Sequence, residues 1–175
     1  ERIQVLTTIP TWVDAIGLPY NPAMSKTSNS SQASKQLPNV PKLKYLSGAI
    51  NSDALVVGLA SKEKNLEIVS GDLKLDEKEI LQSLKDLGAT GKADEVIKLP
   101  GSATKVLLFT GLGKAQRNYP SEVIRRAAGI AAQSLAGHKS ATFSINGDTR
   151  AIAEGASLGS YSFTDFRGHT KTDQK

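Results

Sequence analysis

Hydrophobic positions along the chain follow two periods, which predict strands that alternate with helices. Nearly continuous or alternating apolar runs of strand length occupy six segments: 42–46, 53–59, 66–69, 95–99, 105–110 and 140–145. Runs of this length are typical of buried strands. The charged, turn-like stretch 59–65 separates two of them, so we expect 53–59 and 66–69 to form a hairpin.

A helical period first appears after residue 75. Asp76 is a favourable N-cap, and Glu79 three residues later completes a capping-box pattern. Gly88 is a natural C-terminal stop. The helix between them carries one apolar stripe, which consists of Ile80, Leu81, Leu84 and Leu87.

Two further helices are predicted in the second half of the chain. One runs from about Pro120 to Leu135, with Asn118 as its cap and proline in its first turn. Its predicted buried face contains Ile124, Ala127, Ala128, Ala131 and Leu135, while Arg125 and Arg126 point elsewhere. The other opens at Asp148 or Thr149, with Ile152, Ala156, Gly159 and Phe163 on one face. This order predicts an α/β layered domain with a mixed, mostly parallel sheet flanked by helices.

Residues 1–42 differ from the rest and are predicted to be a flexible tail. The part from Ser25 onward is polar, rich in serine and without periodicity, so it cannot bury enough apolar surface to offset its ordering entropy. Met24 is the single methionine of the chain. One hypothesis is that Met24 is the true start and residues 1–23 precede it. The alternative is that residues 1–23 are a hydrophobic peptide that docks on a partner.

Composition excludes several classes of protein. The chain has 175 residues, no cysteine and two histidines, so it has no disulfide framework and no thiolate metal site. Its length fits one domain. No apolar run approaches the ~18–20 residues that span a bilayer, and no secretory signal is visible. We therefore expect a cytoplasmic protein without a membrane partner.

The net charge of +5 is spread unevenly and does not form a basic face. Residues 1–52 carry a net +3, residues 53–113 a net −2 and residues 114–139 a net +4. The basic stretch has a single aromatic residue, Tyr119, whereas nucleic-acid binders interleave basic and base-reading residues. The favoured interpretation is that its basic residues form a solvated helix face. They are Lys114, Arg117, Arg125 and Arg126.

One glycine-rich segment is a candidate cofactor-binding loop. Gly111, Gly113 and Lys114 lie between a predicted strand and a predicted helix, where backbone N–H groups can hold a phosphate. A Walker loop needs serine or threonine after the lysine, and Ala115 is there. The dinucleotide fingerprint needs a third glycine, and Gln116 stands in its place. A tight strand exit explains the same residues.

No catalytic or metal-binding set stands out from the residue types. His138 follows a helix stop and can meet the helix dipole there, and His169 lies in the polar end of the chain. Capping or solvated roles suffice for the nearby acidic residues Asp148, Glu154 and Asp165. We therefore predict no catalytic residue and no metal ligand in this chain.

Three ordered blocks resemble the N-terminal domain of the leucyl aminopeptidase (cytosol aminopeptidase) family. They are KVLLFTGLGK at 105–114, EVIRRAAGIAA at 122–132, and AEGASLGSYSF at 153–163 with Arg167. The resemblance covers residues 43–167 and implies a macro-domain-like α/β fold there. It also implies that residues 168–175 begin a linker to a separate catalytic domain.

The resemblance implies a function for the parent enzyme but not for this chain alone. Family members remove N-terminal residues, often leucine, from peptides with two zinc or manganese ions, and they assemble as hexamers. The family's metal-binding motif, Asn-Thr-Asp-Ala-Glu-Gly-Arg, is absent from the sequence. We therefore expect an inactive domain whose role is subunit assembly or substrate access. Two alternatives stay open: a free-standing module for ADP-ribose or another phosphorylated ligand, and a less favoured DNA-binding module.

Overall fold

The computed structural model describes residues 2–6, 41–46, 50–63, 65–71, 73 and 76–160. This part of the chain forms seven strands and three helices. The strands are β1 Arg2–Leu6, β2 Lys42–Leu46, β3 Ala54–Lys62, β4 Asn65–Val69, β5 Val96–Pro100, β6 Val106–Lys114 and β7 Ser140–Ser144. The helices are α1 Glu77–Asp86, α2 Ser121–Ser134 and α3 Thr149–Ser160.

All seven strands belong to one mixed sheet with the order β2-β1-β7-β3-β6-β5 and β4 beside β3. The central strand β3 pairs in parallel with β6 and β7, and the outer pairs are antiparallel. Along one edge, β3 pairs first with β7 and then with β4. The predicted α/β sheet flanked by helices and the predicted hairpin of β3 and β4 are therefore confirmed.

Two apolar layers cover the faces of this sheet. Val56 and Leu108 lie on the face covered by α2 and α3, while Val57 and Phe109 lie on the opposite face with Leu84 of α1. Because β3 is buried on both faces, its sequence is a continuous apolar run rather than an alternating one. The predicted buried face of α2 is confirmed in full.

Helices α2 and α3 cross at very short distance because glycines line the crossing. A Cβ atom on Gly155 would lie 2.0 Å from the carbonyl oxygen of Arg125, and one on Gly159 would lie 2.1 Å from that of Gly129. No side chain fits at either position without moving a backbone. Gly155 and Gly159 thus set the spacing of the two helices.

The first strand corrects the predicted tail. Arg2–Leu6 pairs with both β2 and β7, and Ile3, opposite Phe143, is 3% exposed. Residues 2–6 are therefore an inner strand of the sheet and not part of a tail, and Lys42 already belongs to β2. The burial of Ile3 against distant residues explains the difference. Met24 and Phe163 lie outside the described residues.

Helix starts differ from the predictions in their hydrogen bonds. Asp76 stands at the N-cap of α1 but its side chain makes no capping hydrogen bond, so the predicted capping box does not form. Helix α2 begins at Ser121 with Pro120 at the N-cap, and the predicted cap Asn118 lies outside the helix. Leu87 is 60% exposed and does not extend the buried stripe of α1.

Among the described helices, none is both long and apolar enough to cross a membrane.

Candidate functional site

A cleft of about 420 Å³ opens at the carboxyl ends of the central strands. Three segments line it: residues 67–70 at the end of β4, residues 116–119 between β6 and α2, and residues 146–148 between β7 and α3. Strands β6 and β7 lie on opposite sides of β3, so the two loops that follow them face each other across the β4 end. In open α/β sheets, ligands bind in such a crevice.

The loops around the cleft are held by contacts to the framework. The backbone N–H of Asn146 reaches the carbonyl oxygen of Val69 at 3.5 Å, and the Tyr119 hydroxyl accepts a hydrogen bond from the Gln116 N–H at 3.3 Å. Gly147 packs on Ile124, because a Cβ atom there would lie 2.9 Å from the Ile124 Cδ1. The walls of the cleft are therefore positioned by the fold itself.

The carboxylate of Asp148 connects the two helices that start at the cleft. Its oxygens accept hydrogen bonds from the Ser121 hydroxyl at 2.7 Å and from the backbone N–H groups of Arg150 at 3.0 Å and Ala151 at 3.4 Å. The hydrogen bond from Ser121, followed by that from the Ala151 N–H, holds the pKa of Asp148 below its ordinary value. Asp148 is thus a side-chain cap of α3, as predicted, and it also binds the first residue of α2.

Ion pairs engage the other charged residues of α2 and α3. Arg125 binds Glu122 and, at 2.9 Å, Glu154, which also accepts from Arg150 at 2.8 Å. The hydrogen bonds from Arg150 and then Arg125 hold the pKa of Glu154 below its ordinary value. Glu154 therefore accepts hydrogen bonds from one arginine of each helix.

The glycine-rich segment singled out in the sequence lies inside a strand and does not line the cleft. Strand β6 continues to Lys114, beyond the end predicted at Thr110, and its register with β3 shifts at Leu59 and Ala60. Gly111 lies against the backbone of Lys92, whose oxygen would be 1.8 Å from an added Cβ. Gly113 has a φ of 84°, which favours glycine. Close packing and a bulged strand account for both glycines.

The remaining predicted positions are not brought together. His138 is half-buried beyond the end of α2, at the opposite edge of the sheet from the cleft, while His169 and Asp165 lie outside the described residues. Within the described ranges, no group of three or more histidine, aspartate or glutamate residues could hold a metal ion.

Sequence reasoning assigned Arg117 to a solvated helix face and Asn118 to a helix cap, but both lie in the loop before α2 and line the cleft. Arg117, Asn118 and Asn146 come from two loops about 30 residues apart, and none belongs to a recognised motif. The available signal was their position: each lies in a short loop between a buried strand and a helix. Loops in that position meet at one edge of a parallel sheet.

Comparisons with known proteins agree on one family. The model of the cytosol aminopeptidase family, N-terminal domain, matches residues 56–170. A probable cytosol aminopeptidase of Streptomyces griseus is 39% identical over 132 residues, which cover 68% of this chain and 26% of that protein. One from Rhodococcus erythropolis is 43% identical over 127 residues, covering 68% of this chain and 25% of that protein.

A solved structure of the bottromycin maturation enzyme BotP in complex with Mn superimposes with a TM-score of 0.48 and 19% identity, over 67% of this chain and 25% of that chain. The chain spans about a quarter of the length of the curated relatives it matches. The family model covers more than half of the chain, and the relatives share well over 30% of the aligned residues. The chain therefore belongs to the cytosol aminopeptidase family and matches its N-terminal domain.

Proposed function

We propose that this chain is the non-catalytic N-terminal domain of a two-metal leucyl aminopeptidase that removes N-terminal residues from peptides. Its role in that enzyme is subunit assembly or substrate access. The observation that carries the proposal is the match of residues 56–170 to the N-terminal domain of the family, with relatives about four times as long as the aligned part. The larger remainder of such a protein has room for a separate catalytic domain.

Exposed apolar side chains support an assembly role. Leu43 is 40% exposed and Tyr45 is 65% exposed, and the two lie on one side of the edge strand β2. Leu158, close to the end of α3, is 71% exposed. Exposed apolar residues that share a face mark protein–protein contacts more often than single exposed apolar residues do. Such contacts would join the domain to its own catalytic domain or to neighbouring subunits of a cytoplasmic hexamer.

The proposal assigns peptide hydrolysis to the catalytic domain. Two zinc or manganese ions held a few ångströms apart would polarise the scissile carbonyl and supply the attacking hydroxide there. The residues described in this chain would instead set where that domain sits and which peptides reach it.

An activity assay tests the non-catalytic part of the proposal. The chain is incubated with leucine p-nitroanilide and Mn²⁺, beside the full-length Streptomyces griseus relative as a positive control. We expect turnover from the relative and none from this chain. Turnover that rises in proportion to the chain concentration and disappears with a chelator would show that the chain itself is catalytic.

A deletion in the relative tests the assembly or access role. The region of the Streptomyces griseus protein that aligns with this chain is removed, and the mass in solution and the KM for peptides of increasing length are compared with those of the intact protein. We expect a smaller assembly, a changed KM for longer peptides, or both. An unchanged mass together with unchanged KM values would refute the role.

A further inference from the structure

We infer that the cleft between β4, α2 and α3 binds a small molecule bearing a carboxylate or phosphate group, with Arg117 as the charged partner. This inference goes beyond the proposed function and does not depend on it. It rests on the position of the cleft, on its fixed walls, and on polar side chains that have no hydrogen-bond or ion-pair partner among the described residues.

The position of the cleft is the one at which open α/β sheets bind ligands. The loops after β6 and β7 diverge from strands on either side of β3, which is the topological arrangement that opens a crevice at the carboxyl edge. The volume of about 420 Å³ falls within the roughly 300–1,000 Å³ of small-molecule sites. Ile68 and Val69 are aliphatic residues in a lining that is otherwise mostly polar.

Arg117 differs from the other arginines in the part of the chain that the structure describes. Arg125 and Arg150 bind Glu154, Arg126 binds Asp94, and Arg2 also has a partner. Among the described residues, none forms an ion pair or hydrogen bond with the Arg117 side chain. Its guanidinium group is therefore available to form a bidentate pair with an anion.

The two acidic residues that line the cleft are already engaged. Asp148 accepts hydrogen bonds from Ser121 and from the first turn of α3. Glu67 binds Lys62 Nζ at 3.1 Å across the β3–β4 hairpin. Neither carboxylate pairs with Arg117: Asp148 is held by uncharged donors and Glu67 by Lys62, so the Arg117 charge has no partner among the residues that line the cleft.

Amide side chains next to Arg117 supply the means to recognise the rest of a ligand. Asn118 and Asn146 both line the cleft, and within the described ranges their side chains have no hydrogen-bond partner. An amide can donate and accept at the same time. A molecule with one anionic group and neighbouring polar atoms matches this set, whereas a purely apolar molecule does not.

A titration followed by ¹H–¹⁵N spectra of the whole chain tests the inference. The carboxylate arm uses L-leucine with leucinamide as its uncharged counterpart, and the phosphate arm uses inorganic phosphate and ADP, all at constant ionic strength. We expect one arm to shift the amide signals of residues 116–119 and 146–148 with a Kd in the millimolar range or below, about 10 mM at the weakest. The arm that binds identifies the anion.

Two variants that each remove one positive charge decide whether Arg117 is responsible for the binding. Arg117→Gln should weaken binding at least about tenfold, and Arg117→Lys should weaken it less because the charge remains. Arg126→Gln removes the same charge outside the cleft and should leave binding unchanged. The inference is overturned if neither arm shifts these signals, if the shifts lie elsewhere, or if Arg117→Gln binds as well as Arg126→Gln.

Discussion

Lys105 donates a hydrogen bond from Nζ to the carboxylate of Asp53 at 2.8 Å, and this pair ties the starts of two parallel strands together. The other oxygen of the carboxylate accepts from the backbone N–H of Lys139 at 3.1 Å, and the Asp53 carbonyl accepts from the Lys105 N–H at 2.9 Å. The Ser140 hydroxyl accepts from the Asp53 N–H at 3.1 Å. One residue thus connects the amino-terminal ends of β3, β6 and β7, at the edge opposite the cleft.

Replacing Asp53 by asparagine should lower stability in a pH-dependent way. The hydrogen bond from Lys105 and then that from the Lys139 N–H hold the pKa of Asp53 below its ordinary value of 3.8. A carboxyl with a lowered folded-state pKa stabilises the fold above its unfolded pKa, and that contribution is lost as the pH falls through the folded value. We expect Asp53→Asn to have a lower urea midpoint at pH 7, with the gap to the wild type shrinking below about pH 4.

Glu63→Gln provides the control for the loss of a negative charge. Glu63 is exposed in the turn between β3 and β4, with no hydrogen bond or ion pair to the described residues. Its urea midpoint should stay close to that of the wild type at every pH. A gap for Asp53→Asn that is the same at pH 3 and pH 7 would contradict the proposed role of the ionised carboxylate.

Gly155→Ala should loosen the crossing of α2 and α3. The added Cβ would lie 2.0 Å from the Arg125 carbonyl oxygen, so one helix backbone must move. Overpacking of this kind costs about 1–3 kcal/mol, and it outweighs the roughly 1 kcal/mol that alanine gains over glycine in a helix. Urea unfolding followed by circular dichroism measures the change.

Gly129→Ala is the matched comparison because it lies at the same crossing with more room. Its added Cβ would lie 3.3 Å from the Gly155 carbonyl oxygen, which requires a shift of only a few tenths of an ångström. Alanine gains the same helix propensity in both variants, and at Gly129 this gain offsets only a small shift. We therefore expect Gly129→Ala to be near neutral in the free energy of unfolding. Equal stability of the two variants would show that the close approach does not limit the packing.

Helix faces were predictable because they depend on residues a few positions apart. The buried face of α2 follows from the spacing of Ile124, Ala127 and Leu135 alone, and the structure buries all three. Strand β1 was not predictable, because five residues separated from β2 by 35 others carry no local sign of their partners. Its place depends on contacts of Ile3 with Phe143, which lie 140 positions apart in the sequence.

The glycine-rich segment shows the same limit at a finer scale. Glycines after an apolar run are typical of a loop, yet the backbone of Gly111 donates to the Glu95 carbonyl at 2.8 Å and that of Gly113 to the Gly91 carbonyl at 3.0 Å. These partners belong to another segment, so the continuation of β6 depends on tertiary contacts. The residues that line the cleft could not be predicted for a related reason, because polar loop residues form a site only when the fold brings two loops together.

A pair of variants in the glycine-rich segment separates packing from anion binding. Gly111→Ala should destabilise the fold strongly, because the added Cβ would lie 1.8 Å from the Lys92 carbonyl oxygen. Lys114→Ala removes an exposed side chain and should change the free energy of unfolding by less than about 0.5 kcal/mol. Urea unfolding compares the two. A phosphate titration that Lys114→Ala weakens and Arg117→Gln does not would instead restore the segment as an anion site.

Removal of β1 should destabilise the whole sheet. A variant that begins at Met24 lacks Arg2–Leu6, so β7 keeps β3 but loses its other neighbour, and β2 loses the strand that joins it to the sheet. The point variant Ile3→Ala reports the packing part of this effect, because Ile3 is 3% exposed and such truncations cost about 2–5 kcal/mol. Lys44→Ala, exposed on β2, is the neutral control. If the shortened variant and Ile3→Ala both unfold at the wild-type urea concentration, residues 2–6 contribute nothing to the fold and the sheet is complete without them.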